Sequence, residues 1–415
     1  MSTMTGEVLL ERLDHLWFSS RSSVAKGSSF EQLIAGYLRT APEFADRFDE
    51  VYLWQEWPER QGQHDHGIDI VARDIHTGGW CAVQCKFYDP AHHVSKGDID
   101  SFLAASGKKG FTSRIIVSTA KEWGPTVEKQ LDGLQVPVVR IGLSDLLESK
   151  VDWTQVPWGG QLPDVLPTSG KKALLPHQRE ARKAVRDGLA KHDRGQLVMA
   201  CGTGKTLTSL KIAEELATSR KGQPTTVVVL VPSLQLLNQT LREWKQEAEI
   251  PFRAFAVCSD IQVGRSSATE DLSVHDLIYP ATTAPASLAR EARKRSEDDR
   301  FTVIFGTYHS IDVLSQAQAL GLATVDLVIC DEAHRTTGVT LAGQDESAFV
   351  RVHDDRFLRA TKRLYMTATP RLFRPEVKDR AKEADAVLAS MDDEAVFGPV
   401  LHRLGFGEAV ERDLL

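Results

Sequence analysis

The apolar positions change period several times along the 415 residues. Over residues 5–17, and again in "SFEQLIAGYLRT", they recur at helical spacing, with Phe30, Leu33, Ile34 and Leu38 on one face and Ser29 placed as a cap. The Ser/Gly-rich stretch "SSRSSVAKGSS" reads as a break before the second of these helices. Short apolar runs bounded by turn residues then predict strands at 67–72, 80–88, 114–118 and 137–141, with helices near 97–106 and 125–133. That mixture predicts a mixed sheet flanked by helices. Further on, "GQLVMA", "TTVVVLVP", "FTVIFGT", "VDLVICDEAH" and "RLYMTATP" alternate with helical patterns, which predicts a doubly wound parallel sheet. Residues 259–300 are polar and weakly periodic and read as a surface insertion.

Between the two patterns, residues 151–172 hold three prolines and three glycines and keep no period, so they read as a linker. The expected division is a first α/β domain over 1–150, a linker over 151–172, and a second α/β domain over 173–415. A chain of this length exceeds what one core supports. Its net charge of −7 means that any nucleic-acid surface must come from local basic patches. The run of Lys171, Lys172, Arg179, Arg182, Lys183, Arg186 and Lys191 is one such patch, or else a solvated helix face. Five cysteines, mostly in apolar runs, point to free thiols in a reducing cytoplasm rather than a disulfide framework. The N-terminus lacks the apolar core of a signal peptide, and "VVVLV" at 227–231 is too short to span a bilayer, so no membrane partner is expected.

Two stretches carry chemistry. "ACGTGKT", residues 200–206, follows a strand and opens a helix. Gly202 and Gly204 let backbone N–H groups turn inward around an anion, with Thr203 between them. Lys205 is positioned for the β/γ-phosphates and Thr206 for Mg²⁺. Met199 stands where the longer phosphate-loop pattern has glycine, so the loop is the shorter form. Asp331 and Glu332 end a strand as a Mg²⁺ contact and a water-orienting base. Gln178 in "LLPHQREA" can donate and accept at once and so can pair with an adenine edge. The expected ligands are therefore ATP and Mg²⁺.

The second stretch is "GIDIVARDIHTGGWCAVQCKFY", residues 67–88. Alternation puts Cys81, Val83, Cys85 and Phe87 on one face and Ala82, Gln84, Lys86 and Tyr88 on the other, with Asp69 on the preceding strand. Two oxygen ligands and an ammonium suit metal-assisted phosphodiester cleavage. Solvated strand residues are the bland alternative. "QHDH" and "AHH" invite zinc, but their spacing does not support it.

"LLPHQREA", "ACGTGKT", "LVPSLQLLNQT", "FGTYHS", "DEAH" and "TAT" together resemble, in order, the motifs of superfamily 2 helicases and translocases with a RecA-like fold. The resemblance implies that Ser233, Thr307 and Ser310 lie near a nucleic-acid backbone. It also implies that Thr367 and Thr369 couple nucleotide state to strand movement, with His334 completing the DEAH run. No Q-x-x-G-R-x-x-R run follows residue 369, and "QVGR" at 262–265 has the wrong place and spacing. A second lobe and its arginines are therefore expected in a longer protein, with poor hydrolysis by this sequence alone. "SFEQLIAGYL", "DHGIDIV", "AVQCKFY" and "RIIVSTAKEW" resemble Mrr-like restriction endonucleases of the PD-(D/E)xK fold. That resemblance implies Mg²⁺ on Asp69 and Gln84, Lys86 acting on the water, Glu31 as an extra acid, and Asp65 within a D-x-G-[IV]-D pattern. Gln84 departs from the commoner glutamate. The pairing resembles the front of Type ISP restriction–modification enzymes. In those, a nuclease, a translocase, an adenine methyltransferase and a target-recognition domain share one chain and act on duplex DNA. Two other readings stand beside it: a helicase whose first domain only docks DNA, and a non-catalytic DNA-binding piece.

Overall fold

The computed structural model describes residues 2–19, 22–60, 67–107, 110–157, 163–220, 222–258, 273–294, 300–340, 348–374 and 387–415. It divides into two compact units. One holds Met1–Lys171 with His275–Pro280, and the other Lys172–Val274 with Ala281–Leu415.

In the first unit, β1 (Phe48–Leu53), β2 (Ile70–Asp74) and β3 (Trp80–Lys86) pair antiparallel. Then β5 (Phe111–Ser118) and β7 (Val138–Ile141) run parallel to β3, giving the order β1-β2-β3-β5-β7. The short β4 (His93–Val94) and β6 (Glu122–Trp123) pair separately. Both faces of the sheet are covered. Cys81 and Val83 pack with Leu9 and Leu13 of α1 (Ser2–Ser19) and with Phe30, Leu33 and Ile34 of α2 (Ser23–Thr40). Ala82 on the opposite face packs with Ile99, Phe102 and Leu103 of α4 (Lys96–Ser106) and Val127 and Leu131 of α5 (Pro125–Leu131); α3 is the single turn Pro42–Ala45. The alternation expected of β3 is the one observed.

Three expectations differ. The helix expected to be capped by Ser29 begins earlier: Ser22 is its N-cap and accepts from Ala25 N at 3.2 Å, so Ser28 and Ser29 lie inside α2. Much of the Ser/Gly "break" is thus helix, because tertiary burial of Phe30 to Leu38 outweighs weak local propensity. Strand β1, "FDEVYL", escapes the alternation test because it is a sheet edge with only two fully buried positions. In the stretch 151–172, Val151, Trp153, Val156 and Leu166 are buried in the first unit's core, and Trp153 Nε1 donates to Leu146 O at 3.2 Å.

The second unit is a parallel eight-stranded sheet of order β11-β10-β12-β9-β13-β15-β8-β17. The strands are β8 (Arg194–Met199), β9 (Thr225–Val231), β10 (Arg253–Val257), β11 (Ala281–Thr282), β12 (Phe301–Thr307), β13 (Val325–Cys330), β15 (Ala360–Thr367) and β17 (Val400–Leu404). A separate antiparallel pair joins β14 (Gly338–Thr340) to β16 (Val387–Ala389). Every residue of β9 and β12 is buried, as expected of strands covered on both faces.

The stretch expected as a surface insertion is partly the reverse. Residues 259–272 lie outside those described. The chain then enters the first unit over His275–Pro280, where Leu277, Ile278 and Tyr279 are buried, and returns to the parallel sheet as β11. Asp276 accepts from Arg140 Nε at 2.8 Å, His275 Nδ1 lies 3.1 Å from Val138 O, and Tyr279 Oη donates to Glu43 O at 3.2 Å. The Arg47 guanidinium lies 5.1 Å from the Tyr279 ring centre and pairs with Asp74 at 2.8 Å. A polar average over 259–300 hides this hexapeptide because its apolar run is only three residues long.

Replacing Tyr279 by alanine removes a buried ring more than a hundred residues downstream of the rest of its unit. The expected outcome is a loss of about 3–5 kcal/mol, read by urea unfolding of the first unit.

Candidate functional sites

In the second unit, three loops leave the carboxyl ends of neighbouring strands, the position where ligands bind open α/β sheets. The loop after β8 runs into α8 (Lys205–Ser219) with Gly202 and Gly204 both at φ +84°. Only glycine adopts that geometry without strain. A Cβ on Gly204 would also fall 2.2 Å from Gln178 Nε2. The loop is closed on itself and on α7 (Pro176–Leu189) by hydrogen bonds. Thr203 Oγ1 donates to Ala200 O at 2.7 Å, and Thr203 O receives Gln178 Nε2 at 3.1 Å with His177 Nε2 at 2.9 Å. Gln178 Oε1 in turn accepts from Leu175 N at 2.9 Å. The structure therefore places Gln178 on the backbone of the loop after β8, with both ends of its amide engaged. His177 shares that role, which the sequence did not suggest. Lys205 Nζ donates to Met199 O at 3.3 Å, and Thr206 is half-buried beside it.

Asp331 and Glu332 follow β13. Burial, and then the charge of Glu332, raise the Asp331 carboxyl to about 6, with Lys205 partly offsetting both. The charge of Lys205, after β8, thus bears on the acid that follows β13. Glu332 has φ +48°, a left-handed conformation that costs a residue with a Cβ about 1–2 kcal/mol. Its Oε2 lies 3.3 Å from His334 Nδ1, which is 3.1 Å from Thr367 Oγ1, which accepts from Thr369 N at 3.1 Å. One polar chain thus joins the acid to the end of β15. The hydroxyls expected near a nucleic-acid backbone are spent locally. Ser233 caps α9 (Leu234–Glu247), accepting from Leu236 N, while Thr307 bonds Ser310, whose Oγ donates to Val257 O at 2.9 Å. Ser310 is fully buried.

In the first unit, Asp69 N donates to Val83 O at 2.9 Å, and Asp69 Oδ2 accepts from Cys85 N at 2.6 Å. Gln84 is buried, and its Nε2 donates to Gly67 O at 3.0 Å. Its Oε1 is buried and has no hydrogen-bond partner among the described residues. Burial, and then the charges of Asp69 and Glu31, hold the Cys85 thiol well above its ordinary range, while Lys86 acts in the opposite direction. Asp69, Glu31 and Lys86 therefore all bear on Cys85. Asp65, His64 and His66 lie outside the described residues. His92 and His93 approach Asp98 and Glu122 separately, at 3.6 and 3.1 Å. Among the described residues no group of three or more His, Cys, Asp and Glu side chains is placed to hold a metal ion. The set on offer at β2–β3 is instead a carboxylate and a neutral amide oxygen. It fits a hard cation, because an orphaned buried acceptor is satisfied by one and such cations prefer oxygen. Of the cysteines, Cys81, Cys258 and Cys330 are buried, Cys85 is half-buried and Cys201 exposed, all as free thiols. Among the described residues no helix is long and apolar enough to cross a membrane.

Residues 39–161 match the restriction endonuclease family of Mrr type, and residues 171–372 match the family described as Type III restriction enzyme, res subunit. The chain joins a Mrr-type restriction-endonuclease domain to a helicase-like domain, a hydrolase architecture that matches Type ISP restriction–modification enzymes. The ATP-dependent Type ISP enzyme LlaBIII, solved bound to DNA, is 37% identical over 97% of this chain, with a TM-score of 0.80. This chain spans 25% of that enzyme's length. A nuclease-deletion mutant of the Type ISP enzyme LlaGI, solved with a DNA substrate mimic, is 38% identical over 59% of this chain and 21% of its own, with a TM-score of 0.46. No curated protein matches.

The raised Asp331 carboxyl costs stability at neutral pH. Its folded value near 6 exceeds the ordinary 3.8, so the folded state gains stability as pH falls from 7 through 6 towards 4. Asp331→Asn removes the buried charge. It is expected to stabilise the protein at pH 7.5 by about 1–3 kcal/mol and to flatten that pH slope. Thermal melts at pH 5 and 7.5 check both.

Proposed function

We propose that this chain carries the cleavage and ATP-using parts of an ATP-dependent DNA restriction enzyme, which acts on duplex DNA in the cytoplasm. What supports the reading is that one chain holds two polar clusters of different chemistry, one around Asp69 and Gln84 and one around Lys205 and Asp331. In the second unit, Gly202 to Thr206 would wrap the phosphates of ATP, with Lys205 on the β/γ-phosphates. Thr206 and Asp331 would hold Mg²⁺ there, Glu332 would orient the attacking water and take its proton, and His334, Thr367 and Thr369 would relay the state of that acid to β15.

In the first unit, Asp69 and Gln84 would hold Mg²⁺, with Glu31 as a further acid. The bound ion would supply charge neutralisation and a more acidic water. Lys86 would hold a proton next to that water and the scissile phosphate. Motion along DNA driven by the second unit would deliver the first to its target. A second motor lobe, a methyltransferase and a target-recognition domain would complete the enzyme.

The test is nicking of supercoiled plasmid in Mg²⁺ or Mn²⁺ by the parent, Asp69→Ala, Lys86→Ala and Lys205→Ala. The parent and Lys205→Ala are expected to nick alike, with Lys205→Ala having lost ATP binding. Asp69→Ala and Lys86→Ala are each expected to lose at least a hundredfold in rate. Folded parent protein that cuts under neither metal would overturn the nuclease reading and leave a DNA-docking domain.

A further inference from the structure

The Gln84 amide has one end tied to Gly67 O and the other without a partner among the described residues. We infer that Gly67 is a positioning residue whose carbonyl oxygen locks the Gln84 amide and makes glutamine, not glutamate, the working residue there. The inference rests on the reading of Asp69 and Gln84 as the cation site, and deepens it.

Gln84 is 2% exposed. Gly67 O faces its terminal group at 3.0 Å and can only accept, so the atom in front of it must be the amide nitrogen. This fixes which way the amide is turned, and Oε1 is left as a buried acceptor without a donor among the described residues. An unsatisfied buried acceptor is unfavourable, and a hard cation relieves it. A glutamate in the same place would set a carboxylate oxygen against a carbonyl oxygen with no proton between them. It would have to swing away from Gly67, and the remaining oxygen would leave the site with it.

The aim of that carbonyl depends on glycine. Gly67 has φ +88°, and a Cβ there would lie 3.1 Å from Gln84 Nε2 and 3.0 Å from Ser101 Oγ. Two residues on, Asp69 is tied to the same strand by Asp69 N to Val83 O and by Cys85 N to Asp69 Oδ2. The three-residue stretch Gly67–Ile68–Asp69 and the pair Gln84–Cys85 therefore form a clamp: one rung orients the amide ligand and the next orients the carboxylate. Adding a negative charge at 84 by exchanging Gln for Glu would break the first rung, and this loss outweighs the extra attraction for the metal.

The experiment is Mn²⁺ binding to the full chain without nucleotide, by calorimetry and by electron paramagnetic resonance. It compares the parent, Asp69→Ala, Gln84→Glu, Gln84→Met and Gly67→Ala. The Mn²⁺ affinity at the first-unit site is read as the part lost in Asp69→Ala. Gln84→Glu and Gly67→Ala are each expected to weaken it by about 10-fold or more, within the range seen when a group that orients a metal ligand is lost. A Gln84→Glu protein that binds Mn²⁺ as tightly as the parent, or more tightly, overturns the lock while leaving the cation site standing. A parent whose Mn²⁺ binding is untouched by Asp69→Ala overturns the cation site and the lock together. A further measurement uses the parent alone and so does not depend on whether a variant folds. With nitrogen-15 glutamine labelling, and with Gln84 assigned through Gln84→Met, one side-chain amide proton is expected to resist exchange with solvent at least tenfold longer than those of exposed glutamines. Equal exchange would overturn the inference.

Discussion

The first unit depends on one register, the antiparallel pairing of β2 with β3 in which Ile70 faces Val83 and Val71 faces Ala82. Side chains on a strand alternate, so a slip of one residue would exchange every inward group for an outward one. Here both faces are core, which gives a slip nowhere to go. It would drive Gln84 and Lys86 into the layer of α1 and α2 and drive Cys81 and Val83 out of it. The same pairing hands Asp69 to the Cys85 amide. Packing of apolar residues thus fixes where Asp69, the residue just before β2, meets the backbone of β3.

The second unit solves a related problem at strand ends. Strands β9 and β12 are buried throughout, and the polar Thr203, Asp331 and Thr369 sit where β8, β13 and β15 give way to loops. There the molecule tolerates arrangements that stability alone would remove: a buried carboxylate beside another acid, a left-handed Glu332, and two glycines with positive φ. Strained and desolvated groups concentrated in one place are what a site prepared for a charged ligand requires.

Much of this was legible in the sequence, for identifiable reasons. Strong signals came from residues whose chemistry and position coincide: the Gly202–Lys205 loop, the Asp331–Glu332 pair after an apolar strand, and the alternation from Cys81 to Tyr88. What stayed hidden depended on non-local partners. Nothing near Gln178 or His177 announces that both reach Thr203 O, some twenty-five residues away. The full α2 helix was masked by serines and glycines whose cost is met by burial of distant side chains. Trp153 sits in a stretch whose prolines and glycines suggest a linker, yet it fills the first unit's core. The hydroxyls of Thr307 and Ser310 have the right residue types for phosphate contact, but their burial can be seen only in three dimensions.

The hexapeptide His275–Pro280 gives the order of synthesis a physical meaning. The first unit's continuous part ends at Lys171, but its packing is complete only when Tyr279 and its neighbours have emerged from the ribosome. At ordinary elongation rates that interval lasts roughly 5–20 s. During it the first unit lacks one wall, and its Arg47–Asp74 pair lacks the aromatic ring that lies against it. A folding domain normally finishes as its own last residue appears. Here the first unit stays unfinished until part of the second has been made, so the two cannot mature independently on the nascent chain.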